Sequence, residues 1–116
     1  MKGYIDLVFR FKDRFYLIDW KSNFLGPRIQ DYRQTVLTRV MRDELYSLQY
    51  LIYTLAVHQY LQRRISDYRY EKHFGGVYYI FLRGLDPAQG PEFGIFQDFP
   101  APETVYSLSR ELISGH

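Results

Sequence analysis

Two apolar, aromatic-rich runs separated by three polar residues most restrict how this chain can fold. Residues 4–11 (YIDLVFRF) and 15–21 (FYLIDWK) are rich in β-branched and aromatic side chains and nearly alternate, which is typical of strands. The break at residues 12–14 is short enough that a hairpin is the economical connection. We therefore predict two strands paired in an antiparallel hairpin.

The register of this hairpin decides whether two carboxylates meet. With a two-residue loop, Phe11 pairs with Arg14 and Asp6 lies directly opposite Asp19; a four-residue loop gives the same pairing. A three-residue loop would place the two carboxylates on opposite faces of the sheet, because a slip of one residue turns every side chain over. We predict the register that pairs Asp6 with Asp19.

Paired carboxylates of this kind indicate a metal site. Two such groups raise each other's pKa unless a cation lies between them. Oxygen ligands with room for waters suit Mg²⁺ or Mn²⁺ better than zinc, and the peptide carbonyl of Trp20 is a candidate third ligand. Lys21 shares a strand face with Asp19, where it can orient or deprotonate a water or neutralise a phosphate. The alternative is that Asp19 and Lys21 form a solvated ion pair of little energetic value.

Composition narrows the class of protein. The 116 residues suit one domain, residues 1–116, and the absence of cysteine excludes disulfides, thiolate zinc sites and Cys-ligated iron–sulfur clusters. No apolar run is long enough to cross a membrane. Residues 1–85 hold 14 Lys and Arg against 8 Asp and Glu, whereas residues 86–116 hold 1 against 5. The larger, basic segment fits contact with a phosphate backbone.

The rest of the chain predicts an α/β pattern. After Gly26-Pro27 the periodicity predicts helices and a short edge strand. It also predicts an apolar central strand, opened by Gly75-Gly76 and buried on both faces. The second helix has an apolar stripe that we expect to face the core. The predicted helices cover residues 30–41, 45–63 and 102–113, the strands cover 77–82 and 94–99, and the stripe comprises Leu48, Leu51, Ile52, Leu55, Ala56 and Leu61.

Polar residues of the second helix permit two readings. Gln49 and Tyr53 are one turn apart, where they can hydrogen-bond a phosphate or a base or hold a catalytic side chain. Alternatively, Tyr53 is a core residue and Gln49 lies at the core boundary. His58 and His73 lack metal-ligand spacing, so we expect structural or solvated roles for them, and His116 is terminal.

Three short motifs, which follow one another along the chain, resemble those of a known protein family. Gly3-Tyr4-Ile5-Asp6, Asp19-Trp20-Lys21 and the pair Gln49 and Tyr53 match the patterns G-x-x-D, D-x-K and Q-x-x-x-Y. In these motifs the chain resembles the RecB-type nucleases of the PD-(D/E)XK superfamily, specifically the carboxy-terminal nuclease domain found in RecBCD helicase–nucleases. The resemblance continues through residues 75–84 and covers nearly the whole chain.

The resemblance implies a restriction-endonuclease-like α/β core, a small mixed sheet of three or four strands flanked by helices. It implies exodeoxyribonuclease activity, with Asp6, Asp19 and the Trp20 carbonyl ligating Mg²⁺, for which Mn²⁺ can substitute. Lys21 would position the hydrolytic water, and Gln49 and Tyr53 would support DNA and the active site. The implied substrate is single-stranded DNA from unwound duplex ends, the partners are RecC-like and RecD-like subunits, and the location is the bacterial cytoplasm.

The chain departs from the family pattern at its start. The family has a helix before the first strand that carries a further metal ligand, whereas this chain begins at Met1-Lys2-Gly3. We therefore expect a fragment of a larger helicase–nuclease, with weakened metal affinity and an exposed sheet face that favours aggregation or dimerisation. Two alternatives stay open: a catalytically silent DNA-binding module with the nuclease fold, and an unrelated protein-interaction domain with a tyrosine-rich surface.

Overall fold

The computed structural model describes residues 6–114, which form one four-stranded sheet and its helices. The strands lie in the order β1-β2-β3-β4; β1 pairs antiparallel with β2, β2 parallel with β3, and β3 antiparallel with β4. This mixed sheet confirms the predicted α/β class, with β3 inside the sheet and β4 at its edge. The strands are β1 (Leu7–Phe11), β2 (Arg14–Lys21), β3 (Phe74–Phe81) and β4 (Ile95–Asp98).

The helices predicted at residues 45–63 and 102–113 begin and end within one residue of the predicted bounds, and a short helix at Tyr70–His73 was not predicted. The helix predicted at residues 30–41 is instead a short 3₁₀ turn followed by a separate helix, because Arg33 between them is extended (φ −73°, ψ 163°). Within residues 6–114 no helix is long and apolar enough to span a bilayer. The helices are α1 (Gln34–Asp43), α2 (Tyr46–Arg64), α3 (Tyr70–His73) and α4 (Pro102–Ser114), with 3₁₀ turns at Ile29–Tyr32 and Leu82–Gly84.

The hairpin between β1 and β2 turns on Lys12 and Asp13 alone. Both residues have positive φ, 51° and 64°, as the tight turn that matches strand twist requires. Glycine, asparagine and aspartate tolerate this conformation, so Asp13 suits its position whereas Lys12 adopts a disfavoured one. An ion pair of 2.7 Å between Arg10 and Asp13 braces the turn.

This two-residue loop sets the predicted register. Leu7 pairs with Ile18, and the ladder runs without a slip to the turn. The ladder ends at Leu7, and the same register extended by one residue would place Asp6 opposite Asp19, which is the predicted pairing. Asp6 itself lies in a bend before β1, and Tyr4 and Ile5 of the predicted strand lie outside the described residues, as does His116.

The core lies on one face of the sheet only. Val77, Tyr79 and Phe81 of β3 are fully buried there, whereas Tyr78 and Ile80 on the other face are half-buried. The prediction that β3 is buried on both faces is therefore wrong. The opposite face lines an open apolar groove of about 800 Å³ and includes Phe9, Phe11, Tyr16, Ile18, Tyr78 and Ile80.

The buried face of α2 differs from the predicted apolar stripe. Leu55 and Leu61 are buried as expected, but Leu48 and Ile52 are 49% and 52% exposed and Ala56 is exposed as well. Polar side chains fill much of the buried face and find local partners there, as Thr54 does with the carbonyl of Tyr50 at 2.7 Å. The other buried residues are Gln49, Tyr50 and His58.

His58 is fully buried in an aromatic cluster. Its Nδ1 lies 2.8 Å from the Tyr68 hydroxyl, and the rings of Tyr70 and Tyr106 meet it edge-on at 5.9 and 5.2 Å. Burial lowers the pKa of His58, and the carboxylate of Glu71 opposes that shift. The residue packs as the neutral imidazole.

This burial makes the stability of the fold sensitive to acid. When the pH falls below 6.5, the ordinary pKa of histidine, His58 binds a proton in the unfolded chain. In the folded chain the lowered pKa keeps His58 neutral to lower pH. The free energy of unfolding should therefore fall as the pH drops below 6.5, by at most about 1.4 kcal/mol per pH unit for one proton. Urea denaturation at several pH values below 6.5 should show this decrease of the unfolding free energy with falling pH in the native chain and a smaller decrease in His58→Gln. Equal slopes would contradict the assignment.

Candidate active site

Asp6 and Asp19 meet at the open end of the hairpin. The exposed Asp6 carboxylate accepts a hydrogen bond of 2.9 Å from the backbone N–H of Trp20, the residue after Asp19. The hairpin register therefore ties the first carboxylate to the strand that carries the second. The two side chains are close enough to share a hydrogen bond.

Asp19 is the buried member of the pair. It is 2% exposed, and Lys21 Nζ lies 2.8 Å from its Oδ2 atom. No described residue donates a hydrogen bond of good geometry to this oxygen. The cost of burying its charge is therefore offset mainly by electrostatic attraction to Lys21. A buried acceptor oxygen in this state is a natural position for a cation.

The two carboxyl groups have opposite pKa shifts. Burial, and then the contact with Asp6, raise the pKa of Asp19 to about 6, although Lys21 opposes the rise. The contact with Asp19, the backbone N–H of Trp20 and the charge of Lys21 lower the pKa of Asp6. The pair therefore titrates as a unit in which one group is ionised and the other takes up a proton readily.

Lys21 is held by aromatic rings as well as by Asp19. Its Nζ lies 4.2 Å from the ring centroid of Tyr46 and 5.5 Å from that of Tyr79, within the range of cation–π attraction. Tyr79 reaches this position because it pairs with Asp19 in the parallel β2–β3 ladder. The Tyr46 hydroxyl accepts a hydrogen bond of 3.3 Å from Asn23.

The sequence patterns above predict no role for Tyr46 or for Tyr79 at this site. For Tyr46 a signal was present in the sequence, because Tyr46 lies one helical turn before Gln49 and so shares its face of the helix. The position of Tyr79 depends on pairing between distant strands, which no local pattern carries.

Gln49 supports the site from beneath. It is 2% exposed, and its side-chain oxygen accepts a hydrogen bond from the Tyr79 hydroxyl. The expectation that Gln49 lies at the core boundary is wrong, because its side chain is buried in the core. Tyr53 is half-buried and packs against the core, as the alternative reading of that residue expected.

The residues present fit a hard divalent cation with an incomplete protein shell. Mg²⁺ is commonly held through one or two carboxylates, with waters and substrate phosphate completing its coordination. Asp6, Asp19 and the carbonyl of Trp20 match this donor set, and the buried Oδ2 atom of Asp19 has no hydrogen bond of good geometry. In the part of the chain that the structure describes, no cluster of three or more His, Cys, Asp or Glu side chains could enclose a metal.

Comparison with known proteins identifies relatives over nearly the whole chain. The RecBCD enzyme subunit RecB of Escherichia coli strain K12 is 48% identical over 115 residues, which is 99% of this chain. The RecB subunit of Haemophilus influenzae is 48% identical over 108 residues, and that of Mycobacterium tuberculosis strain H37Rv is 37% identical over 121 residues. No protein-family model matches the chain.

These relatives are much longer proteins. The aligned region covers 10%, 9% and 11% of the E. coli, H. influenzae and M. tuberculosis proteins respectively. The chain thus spans about a tenth of the length of the curated relatives it matches.

Proposed function

Because this chain belongs to the family of RecB subunits of RecBCD enzymes, we propose that it carries a Mg²⁺-dependent nuclease site for DNA. The reaction is hydrolysis of phosphodiester bonds during the processing of broken duplex ends in recombinational repair. The observation that carries the proposal is the hydrogen bond from the backbone of Trp20 to Asp6, which holds Asp6 beside Asp19, with Lys21 Nζ at 2.8 Å from the Asp19 carboxylate.

Each residue has a separate task in this proposal. Asp6, Asp19 and the carbonyl of Trp20 hold Mg²⁺, for which Mn²⁺ is expected to substitute. When bound, the metal polarises the scissile phosphate and the attacking water. Lys21 donates hydrogen bonds to that water or to a phosphate oxygen, in a direction fixed by Asp19 and Tyr46.

The support residues act through contacts rather than chemistry. Gln49 holds the hydroxyl of Tyr79, and the ring of Tyr79 in turn limits where the ammonium group of Lys21 can move. Tyr53 packs against the core behind the site. Gln49 therefore maintains the position of the catalytic lysine through Tyr79, and Tyr53 contributes to the core behind these residues.

The family premise extends the proposal to substrate and partners. The proposed substrate is single-stranded DNA released from unwound duplex ends, cleaved as an exodeoxyribonuclease would cleave it. The proposed partners are RecC-like and RecD-like subunits of a bacterial, cytoplasmic complex.

One observation favours a second candidate, a silent DNA-binding module with the nuclease fold. The described residues offer two carboxylates and a carbonyl but no third acidic or histidine side chain beside them. A site with so few fixed ligands binds metal weakly, and in this candidate it binds none. Metal binding at Asp6 and Asp19 therefore separates the two functions.

The deciding experiment measures metal binding and cleavage in parallel. End-labelled linear single-stranded DNA is incubated with the chain in Mg²⁺ or in EDTA, and Mn²⁺-induced broadening of backbone amide signals is recorded by NMR. We expect cleavage in Mg²⁺ only, and broadening at Trp20 but not at Lys12, which lies in the hairpin turn ~20 Å from Asp6 along β1. The absence of both effects would contradict the nuclease proposal and support the silent module.

A further inference from the structure

A continuous depression runs between β1 and α2, away from the paired carboxylates. Its first part, here called the α2 groove, has a volume of about 400 Å³ and is lined by Val8, Phe15, Ala56, Val57, Tyr60 and Leu61. Its second part, the basic cleft, has a volume of about 430 Å³ and shares Phe15, Tyr60 and Leu61 with the groove. The cleft adds the cationic residues Arg10, Arg64 and Lys72.

Strand geometry aligns this depression with the candidate active site. Alternate residues of a strand share a face, so Asp6, Val8 and Arg10 follow one another on the side of β1 that bears the site. Val8 lines the groove and Arg10 lines the cleft. At about 3.3 Å per residue, Arg10 lies ~13 Å from Asp6 along the strand. On β2 the same arrangement recurs, with Asp19 at the site and Phe15 in the groove and the cleft.

The cleft has positive charge available to a ligand. Asp13 lies at its rim and pairs with Arg10 at 2.7 Å, so these two charges largely offset each other. Within residues 6–114, neither Arg64 nor Lys72 forms an ion pair with an acidic side chain. His73 also lines the cleft, but it is 6% exposed and bonded to the backbone of Arg69. The two free cations therefore dominate the cleft.

An exposed aromatic ring lies where the groove meets the cleft. Tyr60 is 54% exposed, although it is an aromatic residue on a helix that packs on the core. The guanidinium carbon of Arg64 lies 4.7 Å from the centroid of its ring. An aromatic platform beside a cationic groove is the arrangement that proteins use to bind single strands, with bases on the ring and phosphates on the cations.

We propose that the α2 groove and the basic cleft bind single-stranded DNA, as an extension of the strand whose phosphate lies at Asp6 and Asp19. Tyr60 stacks on a base, and Arg64 and Lys72 contact phosphates. The choice of ligand rests on the proposed nuclease function. An acidic peptide would use the same cations, but it would gain little from the exposed ring, and the ring therefore favours DNA.

The test is binding of a labelled oligothymidylate of about 12 nucleotides to the whole chain, by fluorescence anisotropy in EDTA. Arg64→Gln and Lys72→Gln should each weaken binding several-fold and reduce the slope of log K against log salt by about 0.7 for one lost phosphate contact. Arg63→Gln is the matched control, because this exposed neighbour loses the same charge but lines neither cavity.

The tyrosine provides a second, independent measurement. Tyr60→Ser should weaken binding roughly tenfold through the loss of stacking, whereas Tyr60→Phe should keep near-native affinity because the ring remains. The exposure of Tyr60 makes either change harmless to the fold, which circular dichroism would verify.

Three outcomes would overturn the inference. The first is no binding of the oligonucleotide. The second is an equal loss of DNA affinity in Arg63→Gln and Arg64→Gln. The third is that polyglutamate binds as tightly as DNA and that Arg64→Gln weakens its binding by the same factor. Because EDTA removes the metal, these results are independent of cleavage. Native binding without cleavage in Mg²⁺ would count against the nuclease proposal and leave the binding site in place.

Discussion

Replacement of Asp19 by asparagine is expected to abolish Mg²⁺-dependent cleavage of single-stranded DNA while the fold survives. The amide keeps the shape of the carboxyl group but removes the charge that faces Lys21 at 2.8 Å. Only Asp6 would then remain as a charged ligand. Loss of several kcal/mol of transition-state stabilisation corresponds to a rate decrease of about 10³-fold or more.

The matched control for this variant is Asp67→Asn. It makes the same chemical change at an exposed carboxylate in the turn between α2 and α3. Cleavage rates and thermal melts of both variants and of the native chain would be compared. Cleavage by Asp19→Asn within tenfold of the native rate, from protein free of contaminating nuclease, would show that Asp19 is not part of the catalytic site.

Replacement of Gly94 by alanine should be the most damaging single change to stability among the glycines with positive φ. Gly94 has a φ of 88°, and an added Cβ would lie 2.8 Å from the backbone carbon of Gly84 and 3.1 Å from the carbonyl oxygen of Phe81. The residue cannot move away, because its N–H and C=O bond to Tyr32 and Phe81 at 3.0 and 2.7 Å. The strain and the clash together should cost about 3–5 kcal/mol.

Gly90 separates these two contributions. Its φ is 86°, nearly the same as that of Gly94, but a Cβ there would meet nothing within 4 Å. Gly90→Ala should therefore cost only the backbone strain, about 1 kcal/mol, and lower the melting temperature by about 4 °C. Gly94→Ala should lower it by more than about 10 °C. Equal decreases in melting temperature for the two variants would show that the backbone at Gly84 moves to accommodate the added Cβ at little cost.

The part of the fold that local chemistry determines was predictable. The short polar break after Phe11 limits the hairpin to a few registers, and the alternation of apolar residues selects among them. The facing positions of Asp6 and Asp19 follow from that register alone. The apolar run of β3 likewise predicted its place inside the sheet, since few other environments accept it.

Features that depend on distant pairing were not predictable. Tyr79 contacts Lys21 only because β3 lies beside β2, and residues 22–73 separate these two strands. Helical periodicity showed an apolar stripe on α2, but it could not show that Gln49 and His58 would find partners inside the core. Those polar residues take the buried face and leave Leu48 and Ile52 exposed.

The order of the strands has a consequence for how the site is assembled during folding. The hairpin that joins Asp6 to Asp19 closes a loop of two residues, an event that takes microseconds in isolated hairpins. The pairing of β2 with β3 must instead close the chain across residues 22–73, which carries a larger entropic cost and is slower. The carboxylates can therefore meet early, whereas Lys21 acquires its aromatic surroundings only when the crossover is complete.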